Sequence, residues 1–155
     1  MTYNNQNFSF WERGLKISVS VRDEKIWDID LALMEGGGDV PAPYRRIADN
    51  IRQVMSGDFF TLDDHWIALS RLTPFQRQIF EPLVRLPAGR TITYGELADL
   101  SGCPGAARAV GQALGANPFP ILIPCHRVIP KSGGIGEFSG GPEIKRWLLD
   151  SEKMG

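Results

Sequence analysis

Cys125 and His126 stand side by side in Ile121-Leu122-Ile123-Pro124-Cys125-His126-Arg127-Val128-Ile129. A free thiol ionises near ~8.5, and an imidazole or cation beside it brings the reactive thiolate toward neutral pH. Chain neighbours need not meet through their side chains. In a bent segment after proline they can, directly or through a water. The apolar run before Pro124 reads as a strand that delivers the pair. Taken alone, the pair reads first as a buried structural cysteine beside a satisfied histidine. The next segment, Ser132–Gly141, has five glycines in ten positions, with Ile135, Phe138 and Ser139 among them. Such a loop lets backbone press against a flat ligand and donate N–H groups to it. Phe138 offers a ring to stack on, and the plain alternative is a flexible surface loop.

Other reactive types are few. Cys103 and His65 complete a set of four soft ligands, and their spacing matches no paired-ligand motif. No metal and no cofactor are expected. Glu35-Gly36-Gly37-Gly38-Asp39 lacks the Lys or Ser/Thr that ends a phosphate-binding loop, so it reads as a linker.

Several elements must position this chemistry. Leu15–Val21 and Ile26–Leu31 alternate apolar and polar residues about the polar turn Arg22–Lys25, the pattern of a hairpin. Tyr44, Ile47, Ala48, Ile51 and Val54 recur at helical spacing, and Gly57 ends that helix. Thr73-Pro74-Phe75-Gln76 is a helix start, with Thr as N-cap and Gln three residues on. Phe75, Ile79, Leu83 and Leu86 mark its buried face. Thr91–Thr93 is a short extended link, Tyr94–Leu100 a short helix, Ser101–Gly105 a turn, and Ala106–Gly115 a second helix ended by Asn117-Pro118. A last helix starts near Pro142 and turns Ile144, Trp147 and Leu148 inward.

Tyr94–Gly115 is therefore a helix-turn-helix candidate. On its second helix Ala107, Val110 and Leu114 share one side, and Arg108, Gln112 and Gly115 the other. That second face carries no acid. It is either a solvated surface or a face small and basic enough to approach a DNA backbone.

The chain has 155 residues, 43% hydrophobic and 23% charged, enough for one domain or two small lobes without disulfides. No apolar run approaches a membrane span. The start, Met1-Thr2-Tyr3-Asn4-Asn5, is polar and uncharged, so no signal peptide is expected. Two free cysteines point to a reducing compartment, the cytoplasm. Net charge is −1, but residues 1–70 hold 7 Lys and Arg against 11 Asp and Glu, while residues 71–155 hold 10 against 7. A polyanion would meet the second half.

With Ala-Ala-Arg-Ala-Val-Gly and Asn-Pro before it, and Phe-Ser-Gly-Gly and Lys-Arg-Trp-Leu-Leu after it, Ile-Pro-Cys-His-Arg-Val resembles the O6-alkylguanine-DNA alkyltransferases over roughly residues 71–155. The resemblance implies an α/β chain: a small, variable N-terminal α/β lobe (1–70), then a mainly helical, winged-helix-like helix-turn-helix domain (71–155). It implies irreversible single-turnover transfer of the alkyl group from O6-alkylguanine to the protein's own cysteine, with O4-alkylthymine a candidate second substrate. The partner would be double-stranded DNA bound through its minor groove by a monomer, with no membrane.

Cys125 would be the acceptor, His126 its base through a water, and Glu152 the residue that fixes the imidazole. Tyr94 would give a proton to guanine N3. Ser139 would contact O6, and the carbonyls of Cys125 and Val128 would accept from the exocyclic amine. Phe138 and Gly136 would shape the pocket, and Asn117 would brace the turn before the active-site segment. Arg108 would fill the gap left by an extruded nucleotide, with Ala106, Ala109, Gln112, Ala113 and Gly115 forming the DNA-facing surface. Phe138 departs from the Tyr many relatives carry, which keeps the ring and loses a hydroxyl. Without the resemblance, a helix-turn-helix binder with a structural Cys125, or a multiple-turnover Cys-His hydrolase, would remain. The hydrolase would require an oxyanion hole.

Overall fold

Alternation of buried Leu15, Ile17, Val19 and Val21 with half-exposed polar residues makes β2 (Leu15–Arg22) the centre of a three-stranded antiparallel sheet. A computed structural model describes residues 6–153; Met1–Asn5, read above as the polar start of the chain, lie outside the described residues. β3 (Lys25–Leu33) pairs with β2 in the expected hairpin, and its turn residues Asp23 and Glu24 both have positive φ. The sheet has a further strand, β1 (Gln6–Glu12), which pairs on the other side of β2. Its signal lies in Phe8 and Phe10, two residues apart and both buried, followed by the two-residue turn Arg13-Gly14. A buried side chain of this kind contributes roughly 1.5–3 kcal/mol, so the alternating stripe fixes the register.

Helix α1 (Arg45–Met55) buries Ile47, Ala48, Ile51 and Val54, and Gly57 follows it with φ +112°. Helix α2 (Pro74–Leu83) begins at the Thr73 N-cap, with the reciprocal Thr73–Gln76 capping box in place. It ends at Leu83, so Leu86 packs from the segment beyond. Gln76 also reaches across to α4 (Ala107–Gly115), where its buried Nε2 donates to the carbonyls of Ala113 and Ala116 at 3.2 and 3.3 Å. Those are orphan acceptors at the C-terminus of α4, so α2 holds the end of that helix.

The extended link is strand β4 (Ile92–Thr93), which pairs in parallel with β5 (Val128–Ile129). Helix α3 (Tyr94–Leu100) starts directly from it, with Thr93 as N-cap and a second capping box to Glu96. The β4–β5 pair thus brings Tyr94 to the segment that carries Cys125. Helix α5 (Pro142–Lys153) closes the chain, burying Ile144, Leu148 and, unexpectedly, Lys145.

Residues 121–123 are not a strand. They form a buried turn in which Ile121 has φ +77°, held by Ile123 N–H donating to the Phe119 carbonyl at 2.9 Å. Prolines at 118, 120 and 124 flank the run, which turns back and buries itself without a ladder. One continuous core joins both halves: Ile29 N–H of β3 donates to the Pro118 carbonyl at 2.9 Å.

Candidate active site

Cys125 opens a single 3₁₀ turn, Cys125–Arg127, between Pro124 and β5. It lies at the base of a pocket of about 730 Å³ whose walls include Tyr94, Arg108, Gly136, Phe138 and Ser139. The sulfur is deeply buried: Cys125 is 4% exposed. Burial pushes its thiol up to about 11, while the Asn117 amide, the Lys145 charge and nearby backbone N–H groups pull the other way. An unassisted thiolate is therefore scarce in the resting protein.

The tight turn aims His126 and Arg127 away from the pocket, onto α5. His126 Nε2 lies 2.5 Å from Glu152 Oε1. Arg127 grips the same carboxylate through Nε and Nη2 at 2.8–3.1 Å, and its Nη1 donates to the Leu86 carbonyl at 2.7 Å. Gly89 N–H adds a donor to Glu152 Oε2 at 3.3 Å. Burial alone would raise the Glu152 carboxyl. The bonds from His126 and Arg127 outweigh it and hold the group at about 2.

An ionised Glu152 only accepts, so the shared proton sits on His126 Nε2. Burial lowers the His126 pKa, the Glu152 contact opposing it, so the ring is neutral at pH 7. Its basic lone pair is then on Nδ1, which is buried and has no hydrogen-bond partner among the described residues. Nδ1 is left as the ring's open acceptor.

Tyr94, the first residue of α3, is kept as a phenol: burial first, then the charges of Glu137 and Cys125, raise its pKa above 10.0. Gly136 has φ +74°, and a Cβ there would come within 2.8 Å of Pro130 and 3.3 Å of the Tyr94 hydroxyl. Only glycine leaves that wall open. Phe138 and Ser139 line the same pocket.

The remaining expected residues divide. Asn117 does not line the pocket. It is buried behind it, where Nδ2 donates to the Ile123 carbonyl at 3.0 Å and Oδ1 accepts from Phe119 N–H at 2.9 Å. These bonds span the turn from Asn117 to Ile123, whereas the sequence also puts Asn117 among the expected substrate-binding residues. Val128 is also buried outside the lining, and its carbonyl accepts from Lys145 Nζ at 2.7 Å; the Cys125 carbonyl accepts from Val128 N–H. On α4, Arg108, Ala109, Gln112 and Gly115 are exposed together. Ala113 is not part of that face: it is 9% exposed and turned into the core, three residues after buried Val110. Ala106 is the N-cap and half-buried against the core. Cys103 is a half-buried free thiol in the turn between α3 and α4.

Two residues with a clear place in the site carry no assignment from sequence. Arg127 is the second clamp on Glu152. Lys145, fully buried, ties β5 to the glycine-rich loop by donating to the carbonyls of Val128 and Glu137 at 2.7 and 3.2 Å. Its helical register places it three residues before buried Leu148, on the inward side of α5.

The family model described as 6-O-methylguanine DNA methyltransferase, DNA binding domain, matches residues 74–154. A methylated-DNA–protein-cysteine methyltransferase of Shigella flexneri is 42% identical over 106 residues, 68% of this chain and 61% of that protein, so the match spans about three fifths of that relative. One of Mycobacterium tuberculosis is 42% identical over 114 residues, covering 73% and 67%. The crystal structure of the Mycobacterium tuberculosis O6-methylguanine methyltransferase superposes with a TM-score of 0.75 at 31% identity, covering 96% of this chain and 93% of that one. The same enzyme in complex with DNA gives 0.73. With its three-stranded N-terminal lobe, its helical second half and a pocket built on Pro-Cys-His-Arg, the chain belongs to the 6-O-methylguanine DNA methyltransferase family.

Proposed function

We propose that this protein repairs O6-alkylguanine in DNA by moving the alkyl group irreversibly onto Cys125, once per molecule. The observation that carries this reading is the buried Cys125 at the pocket base, next to a histidine whose proton is fixed on Nε2 by Glu152.

O6 of guanine lies inside a duplex, so the nucleotide must leave the stack to reach the pocket. Arg108, on the exposed face of α4, would enter from the minor groove and take the vacated space. Ala109, Gln112 and Gly115 keep that face low enough for close approach. This reading makes residues 71–155 the DNA-binding and transfer unit and residues 1–70 its supporting lobe.

In the chemical step the Cys125 thiol proton passes through a bridging water to His126 Nδ1. Sγ attacks the alkyl carbon, the S–C bond forms, and the C–O6 bond breaks with its electron pair left on guanine. Tyr94 donates its hydroxyl proton to guanine N3, so the base leaves neutral. Ser139 and the neighbouring loop backbone face O6, with Phe138 stacked on the ring. His126 is left as an imidazolium and Tyr94 as a phenolate, and proton exchange with solvent returns both to neutral, so no further reactant is needed. The product thioether has no good leaving group, which ends the reaction after one turnover. Double-stranded DNA is the partner in this reading, and the cytoplasm the site of action. Among the described residues, no helix is long and apolar enough to cross a membrane.

Stoichiometry tests the proposal. With excess O6-methylguanine duplex, guanine should be restored to one equivalent of protein and no further. Release of more than one equivalent would point to a turning-over hydrolase.

A further inference from the structure

Resting on the transfer reading above, we propose that Glu137 selects among O6-alkyl groups by charge, disfavouring anionic adducts and favouring cationic ones. The pocket wall carries two charged side chains among the described residues, Arg108 and Glu137. They lie on different elements with different fates. Arg108 projects from α4 toward the DNA, and when it fills the vacated stack it leaves the pocket. Glu137 stays on the lining, because its backbone is tied down, while its side chain is exposed. Its carbonyl accepts from the buried Lys145 Nζ at 3.2 Å, and the next residues, Phe138 and Ser139, form the wall itself.

Lys145 lies behind the wall, and its charge reaches the Cys125 sulfur. Its ammonium is turned to the Val128 and Glu137 carbonyls and does not line the pocket. Glu137 also bears on the reacting end of the pocket, since its charge acts on the Tyr94 hydroxyl, as does Cys125. In the engaged complex Glu137 is therefore the one charged residue left on the lining among the described residues, with the Lys145 ammonium set behind it. A methyl group is indifferent to the Glu137 charge. A carboxymethyl group brings a second negative charge to the same wall, and an aminoethyl group brings an opposite one.

The test uses the full chain and one duplex sequence bearing O6-methyl-, O6-carboxymethyl- or O6-(2-aminoethyl)guanine, with single-turnover rates for each. Comparing lesions within one protein cancels the common DNA-binding contribution. A single charge contact of partly exposed groups is worth up to ~5-fold, so opposite effects on the two charged lesions multiply to at most ~25-fold. Glu137→Gln should lower the aminoethyl-to-carboxymethyl rate ratio by up to that factor, and Glu137→Lys should invert the preference. In the wild type the ratio should fall as salt rises; in Glu137→Gln it should not. Methyl transfer with a ratio that neither variant moves would overturn the proposal alone. Absence of methyl transfer by the wild-type protein would overturn the transfer reading beneath it as well.

Discussion

Replacing His126 by alanine should convert a nearly pH-independent reaction into one that tracks free thiolate. Burial holds the Cys125 thiol at about 11 against an ordinary 9.0. At ~1.4 kcal/mol per pH unit, that is about 3 kcal/mol against ionisation. At pH 7 about one molecule in ten thousand would carry the thiolate unaided, and at pH 9 about one in a hundred. His126 removes this dependence by accepting the proton as the S–C bond forms. Its pKa lies below 6.5, so Nδ1 is available across that whole range. A positioned base is worth ~10²–10⁴ in rate. His126→Ala should therefore lose a factor of that order at pH 7 and recover about 100-fold by pH 9. The wild type should change far less. Single-turnover transfer from one O6-methylguanine duplex, followed by quenched sampling from pH 6.5 to 9.5, reads both profiles. A deficit that stays constant from pH 7 to pH 9 would refute the reasoning and make His126 a residue of packing alone.

Glu152→Gln bears on stability. The Glu152 carboxyl sits at about 2 in the fold against an ordinary 4.5, so its stabilisation is present above pH 4.5 and is lost as pH falls from there through 2. Burial keeps His126 neutral, which adds acid sensitivity beginning below 6.5. The substitution should cost up to about 3 kcal/mol at pH 7 and flatten the fall in Tm between pH 6 and pH 3; parallel melting curves would contradict this. Arg108→Ala should slow repair of duplex DNA much more than transfer from the free base O6-benzylguanine, which needs no extrusion; equal losses on both would deny the intercalating role. Gly136→Ala, with its Cβ driven to 2.8 Å from Pro130, should reduce transfer of a benzyl group more than of methyl, and equal rates for both would contradict the tight wall.

Much of the scaffold is legible in the sequence because local rules and tertiary packing agree. The Thr73–Gln76 capping box and the alternating stripe of β2 are patterns that sequence displays directly. β1 escapes a reading of the sequence although Phe8 and Phe10 carry its period, because only the first residues of the pattern precede a turn that lacks the usual Asn or Asp. The run 121–123 misleads because apolar length says nothing about backbone direction: prolines at 118, 120 and 124 flank it and Ile121 has φ +77°, so it turns back instead of extending. The site shows the same division. Cys125 and His126 stand out by motif and Glu152 through the family resemblance, and His126 and Glu152 meet in space, whereas the burial of Ala113 depends on the roll of α4 against α2, where Gln76 joins them. Lys145 carries no sequence signal strong enough to assign it, because a buried lysine is rare unless carbonyls are waiting for it, and those come from 8 and 17 residues away in the chain.

The central claim is that Cys125 itself becomes the alkylated residue. Incubating the protein with O6-methylguanine duplex, digesting it and mapping the added methyl by mass spectrometry tests this directly. The expected result is one methyl on the peptide containing Cys125, none on that containing Cys103, and no added mass in Cys125→Ser, which should still bind the DNA. Methyl on any other residue, or undiminished guanine restoration by Cys125→Ser, would contradict it.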